Sequence, residues 1–595
     1  MSRRVAAVLL ASFLAQSATV AAGQSESADE LAARVVALAD AYVDGLTKRF
    51  PEQALLRGLP LERQDGLTDN SQVALRKWHA MEDRWAAELK DIPSEKLRGR
   101  PEWIILGFLE EAIESSRGLR VCRYDLWPVN QMGGWQALMT QVAAVQPVGS
   151  DKARQEALAR FGQLPRYLST EIDALREGLR QGYSTPKRNV ELVIGQLDQL
   201  LDQPVDQWPL YSPASRDESP EFRESWRKLL ADSIKPAVER YRNFLRDEYV
   251  GKARESIAIS SHPNGAQCYQ ASFRAHTTLD RPATETFELG RKTVEQNLAA
   301  ALEIGRTRLG ANDLPSLLER LRNDKANRFE SREELLSFAR AAVSRAREQM
   351  PQWFSTVPEA DIVVEPYPDF LERTANDGYW AAAQDGSRPA IYRITLYHYA
   401  ETTRSNAEIT AFHEAYPGHH LQIGLANERP GAHPIAMLVR NAGFVEGWAR
   451  YAEALAEEMG LYSSDYARAN RRLWPARGMV IDPGIHVLGW TREQAIKYAL
   501  ESGRFEPETA QSLIDRIAVW PGQLTAYDTG ALEFFALRRR AEEALGEDFD
   551  IREFHSVVVQ NGAVTLPMLR DEVEHWLASR RAGKKATQPS GTRGP

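Results

Sequence analysis

The sequence predicts a mainly α-helical fold with no more than a small β-sheet. Apolar residues recur at three- and four-residue spacing through most of the chain, as in DELAARVVALADAYVDGLTKRF (29–50) and KWHAMEDRWAAELKDI (77–92). That is the period of a helix that buries one face. Strand signals are confined to Asp361–Pro366 and Ala390–Tyr397, which are short, β-branched and alternating. Both stand just ahead of a histidine-rich segment, so the sheet is expected beside the helix that segment forms.

The first residues read as a secretory signal peptide, 1–23. Arg3 and Arg4 precede an apolar run from Val5 to Leu14, and small residues follow through Gly23. The apolar run is too short for a membrane span. No later stretch reaches 18 uncharged apolar residues, so the exported chain is expected in the periplasm or medium with no membrane span. No cysteine stands directly after the expected cleavage site, which argues against a lipid anchor there.

Removing 1–23 takes away Arg3 and Arg4 and no acidic residue, so the formal net charge moves from −8 to −10. An acidic chain is a poor partner for nucleic acid. Cys122 and Cys268 are the two cysteines. In an oxidising compartment they are able to pair, but their sequence separation says nothing about contact.

The expected organisation is an N-terminal helical half, 24–220, and a C-terminal half, 221–580, ending in a tail, 581–595, of disordered composition. The boundary follows QPVDQWPLYSPASRDESPE, which carries four prolines and little periodicity. Helical pattern resumes in FRESWRKLLADSIKPAVERYRNFLRDEYV, charged on one side and apolar on the other. Asn130–Gly134 interrupts the first half as a polar, turn-like insertion.

The chemistry concentrates in HEAYPGHHLQ. His413, Glu414, His419 and His420 fall within eight residues of a chain holding eleven histidines. Imidazoles as ligands and a carboxylate as base are what a hydrolytic zinc site uses. The spacing departs from H-E-x-x-H, in which ligands at i and i+4 share a helix face. On an ideal helix the i+6 residue points roughly 120° away from i. Pro417 and Gly418 are where a two-residue bulge would bring His419 to the i+4 place; a three-residue bulge would bring His420 instead. A third ligand is expected on a second helix. Glu446 in GFVEGWARYAE meets that need, because a carboxylate among Val445 and Trp448 is costly to bury unless a cation offsets it.

These segments resemble a bacterial family called domain of unknown function 885, which groups with helical zinc metallopeptidases of the neurolysin and angiotensin-converting-enzyme type. The resemblance rests, in order, on HEAYPGHHLQ, FVEGWARYAEALAEEMGLY, IDPGIHVLGWTREQAIKY, WPGQLTAYDTG and REFHSVVVQNGAVTLPML, spanning about Glu408 to Leu569. Weaker similarity extends to the NQMGG and ELGRK segments. It implies a large helical, cleft-containing, neurolysin-like fold and a zinc-dependent hydrolase acting on a peptide or small amide. Within that group, Gly418-His419 favours His419 over His420. The resemblance also implies that a strand beside the motif is an edge to which an extended substrate adds, and Ala390–Tyr397 is expected in that role. One departure is Arg516-Ile517, where the family has Arg-Tyr.

The expected site therefore has His413, His419 and Glu446 as metal ligands and Glu414 as general base. Tyr527 is expected to donate to the oxyanion. His486 and Arg516 are candidates for substrate binding, Arg516 because a guanidinium can clamp a peptide carboxylate. The alternative from a different class is a non-catalytic binding or scaffold protein of the same fold.

Overall fold

The structure, a computed structural model, describes residues 26–367, 372, 377–383, 386 and 388–587. The expected signal peptide lies outside them. Helices dominate, beginning with Ala28–Arg49, which Ser27 caps by accepting the amide of Glu30 while Glu30 reaches back to the Ser27 amide. The long amphipathic run after Pro220 is helical but not uniform. Regular helix over Pro220–Leu229 and Lys235–Phe244 alternates with wider π-turns at Leu230–Ile234 and Leu245–Tyr249. Pro236, which has no amide hydrogen to give, stands two residues after the end of the first of these.

The largest hydrophobic core joins both ends of the chain. Leu31, Trp85 and Phe108 belong to the same cluster as Phe412, Trp448, Phe534 and Leu577. A second core, around Phe161, Trp226 and Tyr241, packs helices from the first 253 residues. Cys122 and Cys268 form a disulfide that ties the end of helix Pro101–Leu119 to helix Gly265–Thr277.

The sheet has three strands among the described residues: β1 (Ile362–Pro366), β2 (Gly378–Trp380) and β3 (Ala390–Ile394). Their order is β1-β3-β2. β3 pairs in parallel with β1 and antiparallel with β2. The segment expected to offer an edge to substrate is thus the central strand, with both hydrogen-bonding sides taken. The last helix, Leu566–Thr587, also runs past residue 581, where a disordered tail was expected; residues 588–595 lie outside the described ones.

Candidate metal centre

The histidine motif folds as two helices and a sharp turn, where the sequence predicted one bulged helix. The first motif helix, Arg404–Glu414, ends as Ala415 leaves helical geometry, and the second, His419–Asn427, starts just after Gly418. Between them the Tyr416-Pro417 peptide is cis. Gly418 is needed because a Cβ there would lie 1.9 Å from the His413 carbonyl oxygen. The chain thereby turns back on the last turn of its own helix. The Trp448 indole holds the turn by donating to the Pro417 carbonyl at 3.0 Å. His419 arrives edge-on to His413, ring centroids 4.7 Å apart.

Glu446 comes from the helix Ala442–Glu458, which crosses the helix Ala526–Leu545 at glycine contacts. A Cβ on Gly530 would lie 1.7 Å from the Gly443 carbonyl oxygen, so this close crossing requires glycine. It brings Glu446 and Tyr527 into one site.

One carboxylate oxygen, Glu446 Oε2, lies 3.6 Å from His413 Nε2 and 3.6 Å from His419 Nε2. Ligand atoms of all three residues fall within 4.8 Å of one another. Metal–ligand distances of roughly 2.1 Å in a tetrahedron give ligand–ligand edges of about 3.4 Å, so the spacing and the donor types fit zinc. The electrostatics favour positive charge at this point. Burial opposes a charged His413, but Glu446 and Glu453 outweigh it and push the ring up to about 10. Burial likewise opposes a charged Glu446, and His413 and His419 outweigh it and hold the carboxyl well below its ordinary range.

Sequence reasoning missed the support behind these groups. His413 Nδ1 pairs with Glu453 Oε1 at 2.9 Å. Arg450 donates to both Glu453 oxygens at 2.8 and 2.7 Å and forms an ion pair with Asp528 at 3.4 Å. Glu453 stands two helical turns after Glu446, so a signal existed: two carboxylates at i and i+7 on an otherwise apolar helix.

Glu414 is half-buried and stands beside the three candidate ligands without being one of them. Its carboxyl is raised, chiefly by burial, against the lowering effect of His413 and His419. Tyr527 stacks near His413, centroids 6.4 Å apart, and its hydroxyl accepts from Arg516 at 3.4 Å. His420 faces elsewhere, with its ring nitrogens on the hydroxyls of Tyr379 at 3.2 Å and Tyr416 at 3.1 Å.

His486, a candidate for substrate binding, is instead fully buried and committed to the backbone. Its Nδ1 accepts the Ile259 amide at 3.0 Å, and its Nε2 donates to the Ile517 carbonyl at 3.0 Å. Ile517, where the resemblance implies a tyrosine, is a core residue.

No curated protein matches the chain in sequence. Among the solved structures that share its fold are two candidate lipoproteins. A candidate lipoprotein from Colwellia psychrerythraea superposes with a TM-score of 0.84 at 23% identity, covering 93% of this chain and 100% of that one. A candidate lipoprotein of unknown function from Shewanella oneidensis gives 0.74 at 19% identity, covering 92% and 99%. The family described as bacterial protein of unknown function (DUF885) matches residues 51–573, and this chain belongs to it.

Proposed function

We propose that the protein is a zinc-dependent hydrolase of peptide or other amide bonds, acting outside the cytoplasm. The observation that carries this reading is the convergence of His413 and His419 on a single oxygen of Glu446, with Glu414 beside the cluster and not in it. A site kept for structure alone has no use for a free carboxylate at that place.

Zinc held by His413, His419 and Glu446 would supply Lewis acidity at a coordination position left open by the protein. The chain's own residues do the rest. Glu453 fixes the His413 ring so that Nε2 faces the centre, and Arg450 and Asp528 hold Glu453 in turn. Glu414 takes the proton of the attacking water and passes it to the leaving amine. Tyr527 accepts from Arg516, so its own hydrogen remains free to donate to the oxyanion of the tetrahedral intermediate. The Cys122–Cys268 disulfide suits an oxidising compartment and so supports export.

The test is metal analysis of purified protein, followed by digestion of a peptide library with wild type and Glu414→Gln. The expected result is one zinc per chain in both and cleavage by wild type alone. A zinc-free wild type, or a fully active Glu414→Gln, overturns the reading. Zinc without any cleavage favours the binding-protein alternative.

A further inference from the structure

Helix Pro507–Val519 carries Arg516 in its last turn, and Trp520 follows one turn later, its amide donating to the Arg516 carbonyl at 2.9 Å. Trp520, Trp127, Val519, Leu119, His276 and Gly133 line a cavity of about 320 Å³ beside that turn. This is the low end of ligand-site volumes, roughly 300–1,000 Å³, and suits one large side chain. The wall is mostly apolar, and its hydroxyls meet each other and the backbone: Ser272 donates to the Pro521 carbonyl at 2.7 Å and lies 3.2 Å from the Tyr124 hydroxyl. His276 is held neutral, lowered to about 4 by burial and then by Arg516.

Arg516 is the cation at this border. Its guanidinium donates to Gln523 Oε1 and, at 3.4 Å, to the Tyr527 hydroxyl. Its Nε is buried with no hydrogen-bond partner. Among the described residues it forms no ion pair, whereas Arg188 and Arg492, which approach the same helix, both pair with Asp515. Asp482 lies within its field, but burial pushes that carboxyl up to about 7, which weakens it as a counter-ion. A half-buried guanidinium with no carboxylate partner among the described residues, one turn from an aromatic-lined cavity, is a matched pair of features.

We infer that Arg516 and this cavity form a subsite for an α-carboxylate and its adjoining large apolar side chain, the chemistry of an aromatic amino acid with a free C-terminus. Such a group comes from the end of a peptide or from an N-acyl amino acid. The inference rests on the hydrolase reading only for what happens next: Arg516 touches Tyr527, which stacks near His413, so the bond to be cleaved lies on the amino side of the captured residue.

Binding is tested on protein stripped of metal by chelation, which separates the subsite from zinc and from turnover. Calorimetry with N-acetyl-phenylalanine, its amide and N-acetyl-glycine is expected to show the acid binding at least tenfold tighter than the amide. Arg516→Gln should bring that ratio to about one, with Arg516→Lys in between as a variant that keeps the charge and the fold. Gly133→Leu fills the cavity mouth, since a Cβ there already meets Trp520 at 3.2 Å, and should erase the preference for phenylalanine over glycine. A hexapeptide ending in phenylalanine that binds as tightly as N-acetyl-phenylalanine marks a peptide end as the source; a hexapeptide that does not bind marks the small acyl amino acid. Absence of binding, equal affinity for acid and amide, or a ratio that persists in Arg516→Gln overturns the subsite while leaving the hydrolase reading intact. Failure of zinc loading or cleavage, with the acid preference present, overturns the hydrolase reading while leaving the subsite.

Discussion

Two sets of buried histidines in this molecule face opposite surroundings. His486 and His555 are fully buried. Each has both ring nitrogens satisfied: His486 by the backbone of Ile259 and Ile517, His555 by the Tyr451 hydroxyl and the Trp353 carbonyl. Burial drives both down to about 3, and they stay neutral. His413 is also largely removed from water, but one nitrogen meets Glu453 and the other faces Glu446, and its charge preference reverses. Burial alone makes an imidazole a packing group. What distinguishes a cation site is a nitrogen left facing a carboxylate that has no other cation.

The sharpest way to break this contrast is to remove that carboxylate. Glu446→Ala is expected to abolish zinc binding at micromolar metal and all activity, because two imidazoles hold zinc weakly. Metal content by mass spectrometry checks it, and a full complement of zinc in the variant would falsify the ligand assignment. Next in size, Glu414→Gln should keep zinc and lose roughly 10²–10⁴ in kcat, the scale of general base catalysis. Smaller again, Glu453→Gln should weaken zinc affinity by about 10–100-fold, as loss of a partner behind a metal ligand does. A chelator competition titration reads it, and unchanged affinity would mean that Glu453 serves Arg450 alone.

How much of this was legible in the sequence depended on the range of the interactions. Helices announce themselves through local periodicity, so the mainly helical class and strands β1 and β3 were readable. Strand β2 has three residues, Gly378–Trp380, without β-branched side chains, and leaves no such trace. The central position of β3 was therefore invisible. The cluster of His413, His419 and Glu446 was legible because residue types and Pro417-Gly418 narrow the chemistry. A bulge and a break look alike at that level, and what separates them is the approach of Gly418 to the His413 carbonyl. His486 shows the limit: its partner Ile259 is 227 residues away, and no local pattern distinguishes a histidine held by a distant amide from one facing a substrate.

The smallest expected effect concerns that packing histidine, and its sign can be derived. His486 is lowered to about 3 in the fold by burial, whereas the unfolded value is about 6.5. Between these values the unfolded chain binds the extra proton, so its contribution to stability is present above pH 6.5 and is lost as pH falls toward 3. Glu171, Asp377 and Asp482 carry the opposite sign. Burial pushes each up to about 7, so the fold binds their protons first and gains stability on acidification. The total pH dependence therefore mixes both signs, and the informative quantity is the difference between wild type and His486→Gln. The variant should be less stable at pH 7.5 by about 1–3 kcal/mol for each backbone group it leaves unsatisfied, with zinc content unchanged. Because glutamine does not titrate, the gap should narrow by roughly 2 kcal/mol between pH 7.5 and 5. Urea denaturation of chelated protein at both pH values measures it. A constant gap would show that His486 takes up its proton as readily in the fold as in the unfolded chain, and an altered zinc content would tie it to the metal centre from which its hydrogen bonds separate it.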